Sequence, residues 1–168
     1  MFTELKKQSL PLTVGSDYLH LRYDNSALLK LERAGVDVFK ITINPETTGA
    51  LLLAGLEDCF NELETPRTEQ VERVIDIIKN TDEKQLAEAI YTALRLALPE
   101  APTTAPPKDT PPTPDLKPIY SRFCDVMGKS DDEFWSLTLR EVFERWDAFS
   151  EFNGWKPTAR EVLEFDDD

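Results

Sequence analysis

The chain has 168 residues, with 19 Lys and Arg against 32 Asp and Glu, a formal net charge of −13. So acidic a surface repels phosphate, which predicts neither nucleic acid nor an anionic membrane as a partner. Hydrophobic residues make up 40% and aromatic residues 10% of the chain, which suits a folded core rather than a disordered polymer, and the length suits one domain with a small appended module.

Cys59 and Cys124 stand far apart and His20 is the single histidine. No CxxC or zinc pattern can be assembled from them, so the thiols read as reduced, and no metal or other cofactor is expected. No apolar run approaches the ~20 residues of a membrane span, and no signal-type apolar core opens the chain, which predicts a cytoplasmic protein.

In chain order, LPLTV (Leu10 to Val14) and YLHLRY (Tyr18 to Tyr23) alternate apolar and polar residues around Gly15-Ser16-Asp17. That is the chemistry of a β-hairpin, with Pro11 marking its strand as an edge. A helix follows, with Asp24, Asn25 and Ser26 as candidate caps, Leu28, Leu29 and Leu31 as its apolar side and Gly35 at its end. The β-branched run Val36 to Ile43 reads as a third strand or an irregular connection, closed by Asn44-Pro45.

From Glu46 the pattern is helical again, with Leu51, Leu52, Leu53, Leu56 and Phe60 on one broad side. Thr68 opens a helix over Glu69 to Lys79, where Val71, Val74, Ile75 and Ile78 recur at helical spacing; Asp82 caps another over Glu83 to Leu98, with Leu86, Ile90, Leu94 and Ala97 on one face and Pro99 as its stop.

Residues 99–118 hold 8 of the 12 prolines. Such a segment cannot bury a core and favours extended polyproline conformers, so it reads as a linker; a PxxP ligand is the other use of this composition. Beyond it, Ile119 to Met127 reads as a short helix ended by Gly128. Ser130/Glu133, Thr138/Glu141 and Thr158/Glu161 each have the spacing of a capping box, which predicts helices over 131–136, 139–152 and 159–165. Leu137 and Val142 are placed for a hydrophobic staple across the second box. The expected fold is mainly α with a small N-terminal β-hairpin (α+β) over 1–98, a Pro-rich linker over 99–118 and a small helical module over 119–168.

The last module is unusually aromatic. Leu139, Val142, Phe143, Trp146 and Phe149 form one stripe, with Ile119, Tyr120, Phe123, Phe134, Trp135 and Trp155 available to cover it. A stripe of this kind is ordinarily core. About 50 residues cannot bury so many rings completely, however, so some of Trp135, Trp146, Phe149, Phe152 and Trp155 should stay exposed, where rings mark a partner site. No GxSxG, phosphate-binding glycine loop or HExxH occurs, and His20 falls in a half-buried strand, so no enzyme is expected.

Four segments together resemble the tail assembly chaperones of siphophages. Ala27-Leu28, Leu31-Glu32 and Gly35 match that family's early helix after a short strand pair. ALLLAGLEDC (Ala50 to Cys59) is similar to its "LLwAGL" helix, with Leu53 where Trp is usual, and TEQVERVIDIIKN (Thr68 to Asn80) is similar to the helix that follows. Phe134, Trp135, Leu137, Thr138, Arg140 and Glu141 match its "FW.lT.rE" element, with Leu139 where Pro is usual.

The resemblance implies a non-enzymatic protein of the host cytoplasm, absent from the mature virion, that coats the tape measure protein and, in its longer two-part form, recruits tail tube protein. It implies apolar helix surface around Leu52, Leu56, Phe60 and Ile90 for tape-measure helices. It also implies a second site on the aromatic module at Phe134, Trp135, Leu139, Val142, Phe143, Trp146, Phe149 and Trp155. Self-association into a homo-oligomer is compatible with this role. An acidic adaptor or nucleic-acid mimic that blocks a basic partner is the alternative. Residues 1–118 carry 13 − 19 = −6 and residues 119–168 carry 6 − 13 = −7, so the acid is spread rather than focused as a mimic would need.

Overall fold

The protein is described here from a computed structural model covering residues 9–37, 40–99 and 116–155. The chain forms two units, 1–97 and 98–168. It is mostly helical, with one two-stranded antiparallel sheet at the start of the first unit, so the expected α+β class is the observed one.

Strands β1 (Leu10–Val14) and β2 (Asp17–Leu21) pair in register from Leu10↔Leu21 to Val14↔Asp17. The two-residue turn between them puts a positive φ at Gly15 but not at Ser16, which matches the twist of the strands it joins. The buried face of the hairpin carries Leu12, Leu19 and Leu21. The segment after α1 adds no strand: among the described residues it is irregular, and Val38 and Phe39 lie outside them.

Helix α1 (Asn25–Arg33) begins where Asp24 accepts a 2.8 Å bond from the Ala27 amide, and ends at Gly35 with φ +81°. Helix α2 (Pro45–Gly55) starts with Pro at its first position and a reciprocal cap: Thr47 N–H donates to Asn44 Oδ1, and Asn44 N–H donates to Thr47 Oγ1. The chain breaks at Leu56 into α3 (Glu57–Glu62), and then forms α4 (Arg67–Asn80) and α5 (Glu83–Ala97). Asp82 caps α5 through the Gln85 amide, as its position predicts.

What joins hairpin to helices is a close contact between β2's exit and the end of α2. Tyr23 is fully buried, its hydroxyl donates to the Leu51 carbonyl at 2.9 Å, and burial pushes its phenol well above the usual range. The Arg22 amide donates to the Gly55 carbonyl at 2.8 Å. A Cβ on Gly55 would lie 2.8 Å from Tyr23 Cζ, so only glycine admits the ring. Around this seam, polar side chains tie α3 to β2, to the residue after it and to α1: Glu62 lies 3.8 Å from His20, Asp58 lies 3.9 Å from Arg22, and Glu57 pairs with Lys30.

In the second unit, α6 (Leu116–Ser121) runs into a π-helical segment over Arg122–Val126, and α7 (Asp131–Ser136) and α8 (Leu139–Phe152) follow. The first helix thus starts three residues earlier than its apolar pattern suggests and takes Leu116–Pro118 from the expected linker. Pro118 is tolerated because first-turn amides have no intrahelical acceptor to lose. Residues 100–115 and the expected helix over 159–165 lie outside the described residues.

Thr138 and Glu141 form the full capping box, with bonds of 2.8 and 3.2 Å. Ser130 caps α7 through the Glu133 amide, but the Glu133 side chain forms an ion pair with Arg145 of α8 instead of folding back.

Three outcomes follow from the seam and its cap. Gly55→Ala is expected to lower unfolding stability by about 1–3 kcal/mol through overpacking, and Tyr23→Phe by about 1 kcal/mol through the lost hydroxyl bond, both read by urea titration. Asp24 is held up at about 6 from an ordinary 3.8, first by burial, then by Asp58 and Glu57, against the Ala27 amide and Arg22. A raised carboxyl favours the fold below pH 3.8, and that advantage is lost as pH rises through about 6. Asp24→Asn keeps the capping oxygen and removes the charge. It should therefore raise stability at pH 8 by on the order of 1–3 kcal/mol, with the gain vanishing near pH 4.

Candidate functional site

The four residues expected to present apolar helix surface in the first unit do not do so. Leu52, Leu56, Phe60 and Ile90 are all 0% exposed. The reason is the hairpin: β2 packs on α2 and α3, and β1 packs on α5, so the broad apolar side of these helices is its floor.

A row of exposed aliphatic side chains lies instead on α4. Here Val74 and Ile77 are buried with Gln70, whose side-chain amide donates to the Thr65 carbonyl at 2.9 Å. That rotation leaves Val71, Ile75 and Ile78 outside, each 39–44% exposed. With Arg67 they sit at i, i+4, i+8 and i+11, one row along a helix face. Helical spacing alone would put Val71, Val74, Ile75 and Ile78 on one stripe. The signal against that reading is that Val71, Val74, Ile75, Ile77 and Ile78 wrap further round the helix than one core-facing stripe needs.

Next to this row is an open groove of about 140 Å³ between α1 and α2, lined by Leu31, Ala34, Ala50, Leu53 and Ala54, with Lys30, Glu57 and Arg67 at its rim. Three alanines leave the space, and the half-buried Leu53 forms part of its wall. Nothing in the periodicity announces this groove, because alanine on a helix is ordinarily read as neutral filler.

In the second unit, the expected aromatic site divides into a core and an open end. Phe134 is fully buried, packed edge-on to Tyr120 and Trp135 at centroid distances of 5.2 and 5.0 Å and against Phe123 at 5.8 Å. Tyr120 also donates to Asp131, a bond that holds its phenol up at about 12. Leu139, Val142, Phe143 and Trp146 are buried too. These five side chains are therefore structural: α7 contributes Phe134 and α8 the other four to the unit's core. Trp135 and Phe149 are half-buried.

The open end is at the close of α8. Trp146, Phe149 and Trp155 form a triangle of rings with centroids 5.6–6.2 Å apart; Trp155 is 46% exposed and the neighbouring Phe152 90%. The Arg122 guanidinium stands 6.0 Å over the Trp146 ring.

Cys59 and Cys124 are both free thiols, and burial followed by the Asp131 charge pushes the Cys124 thiol up, away from a reactive thiolate. No group of three or more His, Cys, Asp or Glu among the described residues is placed to hold a metal, and no described helix is long and apolar enough to cross a membrane. Comparison of the chain with protein-family models, with characterised proteins and with solved structures gives no match.

The α4 row and the α8 end each group several exposed apolar side chains. Replacing Val71, Ile75 and Ile78 together by Ser, or Phe152 and Trp155 together by Ser, should each lower the fluorescence of an added apolar dye. Each should lower unfolding stability by no more than about 3 kcal/mol, since these side chains are only partly covered.

Proposed function

We propose that this chain is a phage tail assembly chaperone of the long, two-part kind. It acts in the host cytoplasm, holds the tape measure protein in solution, recruits tail tube protein to it, and does not remain in the mature virion. The observation that carries the reading is the α4 row: a capped, well-packed unit keeps Val71, Ile75 and Ile78 in solvent. A row of this spacing suits the apolar face of a partner helix. The net charge of −13 works in the same direction, keeping a protein that displays apolar surface, and a client it carries, from aggregating.

The second unit supports the recruiting half of the proposal through its α8 end, where Phe149, Phe152 and Trp155 offer rings rather than aliphatic side chains. Two tethered sites of modest affinity gain from linkage, since holding one client raises the local concentration of the other. Modest affinity at each site also allows release when the tail closes.

The test is co-expression of the full chain with the tape measure and tail tube proteins encoded beside it. The Val71/Ile75/Ile78→Ser variant should fail to keep the tape measure soluble and still retain tube protein; the Phe152/Trp155→Ser variant should do the reverse. A wild-type chain that is folded yet captures neither client sinks the proposal.

A further inference from the structure

The α1–α2 groove and the α4 row meet at Arg67, which lines the first and heads the second. The rim of the groove carries three charged residues, and two of them neutralise each other, because Lys30 is paired with Glu57. Arg67 is different. Its one side-chain partner among the described residues is the neutral Gln70 Oε1, at a long 3.4 Å. Arg67 is exposed beside the apolar groove and meets no carboxylate among the described residues, so its charge is open to a partner's.

The groove has the size for one side chain. A cavity of roughly 150 Å³ lined by aliphatic and aromatic groups takes a benzene ring, and this one measures about 140 Å³. Its walls are the apolar Leu31, Ala34, Ala50, Leu53 and Ala54.

We infer that this surface is a docking site for an amphipathic helix of a partner protein. One leucine- or phenylalanine-sized side chain of that helix enters the α1–α2 groove. A carboxylate one helical turn away pairs with Arg67, and the following apolar residues lie along Val71, Ile75 and Ile78. Arg67 is then the residue that chooses among helices, since a lysine or arginine at the same place on the client would face it unpaired. The inference rests on the chaperone reading for its helical client, and adds to it the charge that the client must carry.

The probe is an alanine-based helical peptide with a leucine at i for the groove, one glutamate at i+4, and leucines at i+8, i+12 and i+15. A twin carries lysine in place of the glutamate. Binding to the full chain is followed by fluorescence anisotropy and by amide shifts in NMR spectra.

The glutamate peptide should shift Ala34, Ala50, Ala54, Arg67 and Val71 and bind about fivefold tighter than its lysine twin. Arg67→Glu, a surface change that leaves the fold intact, should reverse that order. Leu53→Trp, which fills the groove from its own wall, should weaken both peptides. Equal binding of the two peptides, shifts confined to the α8 end, or a folded chain that binds neither peptide would overturn the inference. Tape-measure capture that ignores Arg67→Glu overturns it while leaving the chaperone reading in place. Peptide binding with no capture of either client does the opposite.

Discussion

The first unit depends on a ring laid against a glycine. Tyr23 leaves the hairpin and passes over Gly55 closely enough that a methyl group there would collide with it, and its hydroxyl ties the approach to the Leu51 carbonyl. Glycine inside a helix ordinarily costs about 0.5–1 kcal/mol relative to alanine. Here that loss is offset by the burial of a whole tyrosine and two leucines of β2. Everything else in the unit follows from the seam: the hairpin covers Leu52, Leu56, Phe60 and Ile90, α3 is clamped by its three acidic side chains, and α4 is left with a face that nothing in its own unit covers.

That sequence of consequences explains what could be read without coordinates. Caps are local matters between a side chain and amides two or three residues on, so Asp24, Asp82 and Thr138 disclose their helices directly. The hairpin is equally local. Which way a helix turns its faces is not local. On α4, five aliphatic residues permit two inward directions about one residue's rotation apart, and the choice falls to Gln70 bonding the Thr65 carbonyl and to α2, which packs on α4. The α4 row was therefore visible as a pattern, while the direction it faces was not. The seam glycine was legible as part of a motif but not as a contact, since the ring it receives lies 32 residues earlier in the chain.

The second unit shows the same division on a smaller scale. Its helices α7 and α8 were marked by their caps, and its size demanded that some rings stay outside. Geometry decided which: Phe134 became the hub around which Tyr120, Phe123 and Trp135 are arranged, while the last turn of α8 and Trp155 kept the exposed rings. Counting aromatics foretells that a remainder exists; only the packing of α8 on the π segment assigns it to Phe152 and Trp155 rather than to Trp146.

The π segment itself has a consequence of phase. Up to Phe123 the buried row runs Leu116, Ile119, Phe123, in ordinary α register. Continued α winding would bring Val126 to the same face, yet Val126 is 49% exposed, because the wider turn, with the Met127 amide bonded to the Arg122 carbonyl, has absorbed one residue. The segment is thus a slack link in an otherwise tightly phased bundle. Loss of one residue within 122–126 can be met by tightening to an α turn, whereas the same loss in α8 would rotate half its buried row by about 100°. Variation in length among related chains is expected to collect at this turn and to spare the helix that bears the rings.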